Sequence, residues 1–288
     1  MKVVLARTAI AAKQFAATTE VAGTVEAEYG TVVIKGTKVT LAHHTGQYAG
    51  QLPPSARTDV PVLGDKDIIL ISHIDGDTVG GVASLMGRKP ENPEFWKAIA
   101  FLDEQGPHHL HEIVDPQLRR LVMAYNGFYL QHFFSLGNID NVTDVTAEVE
   151  KHITALERIL SGDEEFIFSC IDAWKANEAA IEQCLELEEA GTMRVFISDG
   201  PFCNGAYYSP RLEQIIPAVV TRNTATGAII VSFADGGQQV SACEIVQSLW
   251  GPEAGGHAGI AGSPRGKKMN HDHLYNVVAL VLERLHGK

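Results

Sequence analysis

Cysteine is scarce in this sequence, and the spacing of its few cysteines excludes two classes of small domain. The chain contains four of them, Cys170, Cys184, Cys203 and Cys243, and no two form a Cys-x-x-Cys pair. Zinc ribbons and disulfide-stapled secreted domains both need closely spaced cysteines, so neither class fits. Reduced, partly buried thiols are typical of cytoplasmic proteins, and we expect this one to be cytoplasmic.

Long apolar runs are also absent. No apolar stretch reaches the roughly 18–20 residues that a membrane-spanning helix needs. The opening stretch "MKVVLARTAIAAKQFAATTE" is too interrupted by polar residues for a signal peptide. We therefore expect no membrane partner.

Basic residues are outnumbered by acidic ones. The chain has 23 Lys and Arg against 35 Asp and Glu, a net charge of −12. This balance excludes electrostatic binding of nucleic acid by the protein as a whole, so nucleic acid is expected only as a short oligonucleotide, if at all. A hydrophobic content of 45% over 288 residues fits a globular protein of one large or two ordinary domains.

The apolar patterns predict an α/β protein. "DIILIS" at 67–72 is typical of a strand buried on both faces of a parallel sheet. "TVVIK" at 31–35 and "KVTLA" at 38–42 flank Gly36 and predict a hairpin. Apolar residues at helical spacing predict helices over the ranges 116–134, 145–160 and 177–191.

A change of pattern along the chain predicts two lobes. Beyond Gly191 the helical pattern gives way to short β-rich segments and a closing helix. We predict an N-terminal parallel-sheet α/β domain over 1–140, a helical connector over 141–191, and a smaller α/β domain over 192–288. A ligand site in the cleft between the lobes is expected. His132, His152 and His286 are expected at the surface.

A His-x-Asp-x-Asp triplet follows the most apolar strand. His73, Asp75 and Asp77 come directly after "IILIS" and lead into paired glycines. Ligand sites in open α/β sheets lie beyond the carboxyl ends of the strands, where this triplet falls. Mixed imidazole and carboxylate ligands suit Mn²⁺ or Mg²⁺, with Fe²⁺ and Zn²⁺ still open. These three residues are predicted metal ligands.

Two further clusters follow apolar stretches. His43 and His44 end the second strand of the predicted hairpin, and "FLDEQGPHHLHE" brings Asp103, His108 and His109. We expect at least two of the three segments to meet around metal, and two ions would clamp the attacking and leaving oxygens of a phosphoryl displacement.

A glycine-rich turn near the C-terminus predicts a phosphate site. "GPEAGGHAGIAGSPRGKK" places Gly255, Gly256 and His257 in a turn whose backbone N–H groups can face an anion. Arg265 adds a side chain suited to phosphate. We expect all four residues to bind substrate, and His257 and Arg265 to stabilise the negative charge of the transition state.

These stretches resemble a known superfamily. "ISHIDGDTVGG" resembles the first motif of the DHH phosphoesterases, and "AVVTRNTATGAIIVSFAD", "AGGHAGIAG" and "HLYNVVALVLERL" resemble the accompanying DHHA1 domain. The likeness covers residues 67–112 and 215–286. It implies a two-lobed fold, a dimetal centre that usually holds manganese, and cleavage of phosphate esters. It also implies that His73, Asp75 and Asp77 are metal ligands, and that Gly255, Gly256 and His257 hold the substrate's phosphate.

The sequence departs from that pattern at two places. It contains no Asp-His-His triplet, so either His43-His44 or His108-His109 replaces it. Ala234 and Asp235 stand where DHHA1 domains often carry a substrate-binding arginine.

The predicted function is a metal-dependent phosphoesterase that acts on a small phosphorylated or nucleotide substrate through a metal-activated water. The alternatives are a metal-dependent hydrolase of a C–N bond in a small molecule and a non-catalytic nucleotide- or anion-binding regulator. The oligomeric state stays open, with a homodimer among the candidates.

Overall fold

The computed structural model describes residues 1–27, 34–44, 46–132, 141–200 and 204–287. Residues 31–33 of the predicted hairpin, the last two residues of the predicted helix 116–134, and Cys203 lie outside this set. The chain divides into two compact units, Met1–Lys175 and Ala176–Lys288. The domain limits at residues 140 and 191 stay a prediction.

Unit 1, Met1–Lys175, is built around a five-stranded sheet of order β3-β2-β4-β1-β5. Its elements in chain order are β1 (Lys2–Leu5), α1 (Ala9–Thr18), β2 (Gly23–Val25), β3 (Val39–Leu41), β4 (Ile68–Ile71), α2 (Gly76–Leu85), α3 (Pro93–Gln105), α4 (Pro116–Gln131), β5 (Thr143–Asp144), α5 (Thr146–Leu160) and α6 (Glu164–Gln183), which continues into unit 2. The first four strands in the sheet order are parallel, and β5 pairs antiparallel with β1. The mixed α/β class is confirmed.

The central strand β4 is buried on both faces, as its apolar run predicts. Ile69 and Ile71 pack with residues of α2 to α6, whereas Leu70 points into a second cluster with residues of α1. Alternate side chains of a strand point to opposite faces, so a continuous apolar run suits a sheet covered on both sides.

The pairing of β3 differs from the predicted hairpin. Its described partner is β2, which it joins in parallel, and Ile34 and Lys35 are not in a strand. Parallel neighbours need a longer connection than the tight turn of a hairpin. As a result β2, β3 and β4 all end at the same edge of the sheet.

The predicted helix over 177–191 is wrong in its second half. Helix α6 ends at Gln183, and β6 (Leu185–Glu189) follows it as a strand. Arg194 on the next strand is fully buried, and its Nε lies 3.1 Å from a carboxylate oxygen of Glu188. This buried ion pair and the strand pairing outweigh the helical propensity of the Glu-rich sequence.

Unit 2, Ala176–Lys288, contains a six-stranded sheet of order β12-β13-β11-β10-β7-β6. After β6 its elements are β7 (Met193–Ser198), β8 (Tyr208–Ser209), β9 (Gln214–Ile215), β10 (Ala218–Asn223), β11 (Ile229–Phe233), α7 (Ala242–Trp250), β12 (Gly255–Gly256), β13 (Ile260–Gly262) and α8 (His271–Leu285). Helices α7 and α8 bury their apolar residues against this sheet. Searched over the described residues, no helix combines the length and hydropathy needed to cross a bilayer.

Helices α4 and α6 cross at a point where only glycine fits. A Cβ added at Gly127 would lie 1.9 Å from the backbone oxygen of Cys170. We expect Gly127→Ala to lower the free energy of unfolding by about 1–3 kcal/mol, because the helices must separate to admit the methyl group. Urea unfolding would measure it. Gln131→Ala, at an exposed position of the same helix, is the control, and equal stability of both variants would contradict the prediction.

His152, expected at the surface, is instead buried on α5. Its Nδ1 lies 3.2 Å from the Tyr125 hydroxyl. Burial, reinforced by the nearby charge of His132, lowers the pKa of His152 from 6.5 to about 4. Between these two values the unfolded chain binds a proton that the folded chain does not, so acid favours unfolding in this window.

We expect His152→Gln to lose less stability than the wild type when the pH falls from 7 to 5. A shift from 6.5 to about 4 corresponds to about 2 kcal/mol over this interval. Chemical unfolding at the two pH values measures the difference. His286→Gln, at an exposed position, should keep the wild-type dependence. Identical pH dependence in all three proteins would show that His152 does not titrate as described.

Candidate metal centre

Five candidate ligands meet at the carboxyl edge of the parallel sheet in unit 1. They are Glu26 after β2, His43 and His44 after β3, Asp77 at the start of α2, and Asp103 near the end of α3. Two overlapping sets, Glu26-His43-His44 and His43-Asp77-Asp103, each have ligand atoms within 4.8 Å of one another. Both sets share His43, so they form one pocket.

His43 is the centre of this pocket. Its Nε2 lies 2.9 Å from Asp103 Oδ2, 3.8 Å from Glu26 Oε1 and 3.9 Å from Asp77 Oδ2. Ligand atoms about 2.0–2.3 Å from an ion lie about 3 Å apart when adjacent and about 4–4.6 Å apart when opposite. The observed separations, 2.9 to 3.9 Å, are compatible with ligand atoms around an ion.

His44 closes the exposed side of the pocket. Its Nε2 lies 3.3 Å from Glu26 Oε2 and 3.5 Å from Asp103 Oδ2. Its side chain is 45% exposed, whereas that of His43 is 4% exposed. An ion or substrate would therefore reach the pocket past His44.

One carboxylate oxygen of Asp77 accepts hydrogen bonds from Ser55, and the other faces the pocket. Its Oδ1 accepts hydrogen bonds from the Ser55 backbone N–H at 2.9 Å and the Ser55 hydroxyl at 2.5 Å. Its Oδ2 is buried and accepts no hydrogen bond from the described residues. Burial, together with the negative charges of Asp75 and Asp103, raises the pKa of Asp77 to about 7 against the effect of the Ser55 hydrogen bonds.

The donor set fits a divalent cation. Burial, and then the neighbouring His44, lower the pKa of His43 to about 4, so its imidazole is neutral at pH 7 and can act as a ligand. The carboxylates of Glu26, Asp77 and Asp103 then face one pocket, in which Asp77 Oδ2 accepts no hydrogen bond from the described residues. Buried charges are costly unless they are paired or bind metal, and a cation would remove this cost. Oxygen and imidazole donors together are suited to Mn²⁺, Mg²⁺, Fe²⁺ or Zn²⁺.

Glu26 is a candidate ligand that the sequence did not predict. The sequence signal was slight, a charged residue directly after the short apolar stretch "VAGTV". Its backbone has φ 49°, in the left-handed region that non-glycine residues rarely adopt. The Glu26 N–H donates to the Leu41 carbonyl at 2.9 Å, and its own carbonyl accepts from the Ser72 hydroxyl. Strained backbone of this kind concentrates at functional sites.

The glycines after Asp77 allow close packing against α2. A Cβ at Gly80 would lie 2.6 Å from the Cβ of Ser55, and one at Gly81 would lie 2.8 Å from Val25 Cγ1. Small residues on α2 thus let Ser55 and the end of β2 approach the helix. This approach brings the Ser55 donors within reach of Asp77.

His73 and Asp75 belong to neither set of gathered ligands among the described residues. Instead His73 Nε2 lies 2.9 Å from Asp75 Oδ2, and His73 Nδ1 lies 2.8 Å from the Ser72 hydroxyl. Burial opposes the charged form of His73, but Asp75, Asp103 and Asp77 outweigh it and raise its pKa to about 9. Asp75 also caps α2 by accepting from the Thr78 N–H.

His108 and His109 are likewise outside the two sets of gathered ligands. His108 is buried against Gly106, and His109 Nδ1 lies 2.8 Å from a carboxylate oxygen of Glu112. Of the two His pairs considered for the metal site, the structure brings His43-His44 into the cluster with Asp77 and Asp103. Metal ligation by any of these residues stays a prediction.

The glycine-rich turn of unit 2 is an exposed hairpin. Gly255, Gly256, His257 and Arg265 are all exposed. Gly256 has φ 153°, and a Cβ there would lie 2.4 Å from the Ile260 backbone oxygen, so the hairpin itself requires glycine. The His257 N–H donates to the Ile260 carbonyl at 2.7 Å. Their roles in substrate binding stay predictions.

Comparison with known proteins leaves the family open. No protein-family model and no curated protein matches the chain. Among solved structures it is similar to a pGpG-specific phosphodiesterase, PggH, from Vibrio cholerae, with a TM-score of 0.38 and 10% identity over 78% of this chain and 82% of that chain. It is also similar to an uncharacterized protein from Helicobacter pylori G27, with a TM-score of 0.23 and 12% identity over 73% of this chain and 59% of that chain. Such low TM-scores support no inference about activity.

Metal binding should stabilise the wild type and not an Asp77→Asn variant. Asparagine keeps the oxygen that accepts from Ser55 but removes a negative ligand. With Mn²⁺ at about 100 times Kd, the added stability of about 2.7 kcal/mol should raise the wild-type Tm by about 5–10 °C at pH 8. In EDTA the variant should be at least as stable as the wild type, because a buried charge is gone.

Differential scanning fluorimetry with and without Mn²⁺ would measure both effects. Asp59→Asn, at an exposed position of the same unit, is the matched control and should respond like the wild type. An equal Mn²⁺-induced Tm shift in all three proteins would place the ion elsewhere.

Proposed function

We propose that this protein is a metal-dependent phosphoesterase that hydrolyses a small phosphorylated or nucleotide substrate. The observation that carries the proposal is the gathering of three carboxylates and two imidazoles at the carboxyl edge of a parallel sheet. Sites at this edge of α/β sheets typically bind ligands. The resemblance of "ISHIDGDTVGG" to the DHH motif supports phosphate-ester chemistry.

Glu26, His43, His44, Asp77 and Asp103 would hold the ion. When bound, such an ion would supply Lewis-acid activation of a phosphoryl oxygen and of a water nucleophile near neutral pH. His73 and Asp75, at the same edge, are the residues that a second ion would use. Mn²⁺ is the metal that the resemblance implies.

The protein side chains prepare the site for this chemistry. Neutral His43 can offer a ring nitrogen as a ligand at pH 7, because its pKa is about 4. Ser55 fixes the orientation of the Asp77 carboxylate, so its second oxygen already faces the ligand pocket. The side chain of His44 is 45% exposed, so a phosphate ester would approach the ligands from the side of His44.

The exposed hairpin of unit 2 is the proposed phosphate-binding element. The Arg265 guanidinium suits bidentate contact with phosphate oxygens. Gly255, Gly256, His257 and Arg265 carry this role in the proposal, in which His257 and Arg265 stabilise charge on the phosphoryl group.

Hydrolysis should depend on Mn²⁺ and on the gathered carboxylates. We expect the wild type to cleave at least one member of a panel of linear and cyclic dinucleotides and nucleotide monoesters. EDTA should abolish turnover, and Asp77→Asn and Asp103→Asn should each lower kcat/KM by about a hundredfold or more, because they remove a ligand of the ion.

Release of phosphate or nucleotide would be followed by chromatography, with Asp59→Asn as the control that keeps wild-type turnover. Metal-independent cleavage, or full activity in Asp77→Asn, would overturn the proposal. Mn²⁺ binding without cleavage of any phosphate ester would also overturn it and would direct the search to C–N substrates or to a regulatory role.

A further inference from the structure

Residues 51–57 form a segment that contacts both Asp77 and the backbone next to His43. We propose that Ser55, held in place by Lys89 and Arg57, is a positioning residue that sets the metal affinity of the pocket. The inference rests on the proposed metal centre and names the part of the chain that tunes it. Within this part of the chain, Pro54–Ala56 form one turn of 3-10 helix.

The first contact is between Ser55 and Asp77. Ser55 is fully buried, and both its backbone N–H and its hydroxyl donate to the same oxygen, Asp77 Oδ1. Two donors on one oxygen leave the other oxygen, Oδ2, as the remaining ligand atom. The carboxylate cannot rotate without breaking both bonds, so its orientation is set before an ion arrives.

The second contact is between Arg57 and the strand end that carries His43. Arg57 Nη2 donates to the Ala42 carbonyl at 2.7 Å, and its Nε donates to the Leu52 carbonyl at 2.9 Å. Ala42 directly precedes His43 in the chain. The segment is thus fastened to β3 by Arg57 and to α2 by Ser55.

Lys89 fixes the segment 51–57 through hydrogen bonds to its backbone carbonyls. Its Nζ donates to the carbonyl of Ser55 and, at 3.0 Å, to that of Arg57. The ammonium also lies 5.1 Å from the centre of the Trp96 ring. A cation bound to two backbone carbonyls and an aromatic ring fixes the position of the turn that carries Ser55.

Close packing against Ser55 explains why position 80 on α2 is glycine. A Cβ added at Gly80 would lie 2.6 Å from the Cβ of Ser55, so a side chain at position 80 would push the segment away from Asp77. Groups that orient metal ligands from outside the coordination sphere typically change metal affinity about 10–100-fold when they are removed. Ser55 contacts the candidate ligand Asp77, and Arg57 contacts the carbonyl directly before the candidate ligand His43. These are the contacts expected of a group that orients ligands from outside the coordination sphere.

The experiment measures the Kd for Mn²⁺ from the electron paramagnetic resonance signal of free Mn²⁺, without any substrate. We expect Ser55→Ala to weaken binding about 10–100-fold, and Lys89→Met to weaken it in the same direction. Lys89→Arg keeps a cation for the two carbonyls and should restore affinity toward the wild-type value. Circular dichroism and urea unfolding in EDTA confirm that each variant is folded.

Ser84→Ala is the matched control, because Ser84 also lies on α2 but its hydroxyl donates to the Gly80 carbonyl, away from the ligands. It should bind Mn²⁺ like the wild type. Wild-type affinity in both Ser55→Ala and Lys89→Met would overturn the inference while leaving the metal centre intact, provided that Asp77→Asn still loses binding. Absence of Mn²⁺ binding by the wild type would overturn the metal centre and this inference together.

Discussion

Parallel pairing of β2 with both β3 and β4 is the constraint on which the rest of the site depends. Parallel strands end at the same edge of a sheet, so the residues that follow them emerge side by side. Here these residues are Glu26, His43 and the segment from His73 to Asp77. Helices that cover both faces of the sheet bury the strands and hold the edge fixed.

The second constraint on the site is the free-energy cost of burying several carboxylates close together. Glu26 and Asp77 are almost completely buried, and Asp103 is largely so. The raised pKa of Asp77, about 7, results from burial and from neighbouring carboxylates, and expresses the same cost. A protein that keeps such a cluster gives up stability, which a bound cation restores. The strained backbone of Glu26 also lowers the stability of the folded chain at the candidate site.

Packing and ligand geometry are linked through α2. Its glycines admit Ser55 and the end of β2, while its first turn carries Asp77. One short helix therefore supplies the candidate ligand Asp77, the space for Ser55, and contacts with the strand that precedes Glu26. This arrangement explains why the apolar strand, the polar triplet and the paired glycines occur together in the sequence.

The sequence alone determined the features that depend on local patterns. The apolar run identified β4, helical spacing identified α4 and α5, and residue chemistry selected His43, His44, Asp77 and Asp103. Tertiary structure decided the rest. Long-range pairing turned residues 185–189 into a strand, and parallel pairing brought Glu26 into the pocket. Local pattern also grouped His73 and Asp75 with Asp77, whereas in the folded chain these two pair with each other. A sequence records which groups follow a strand, but the directions of their side chains are set by neighbours distant in the chain.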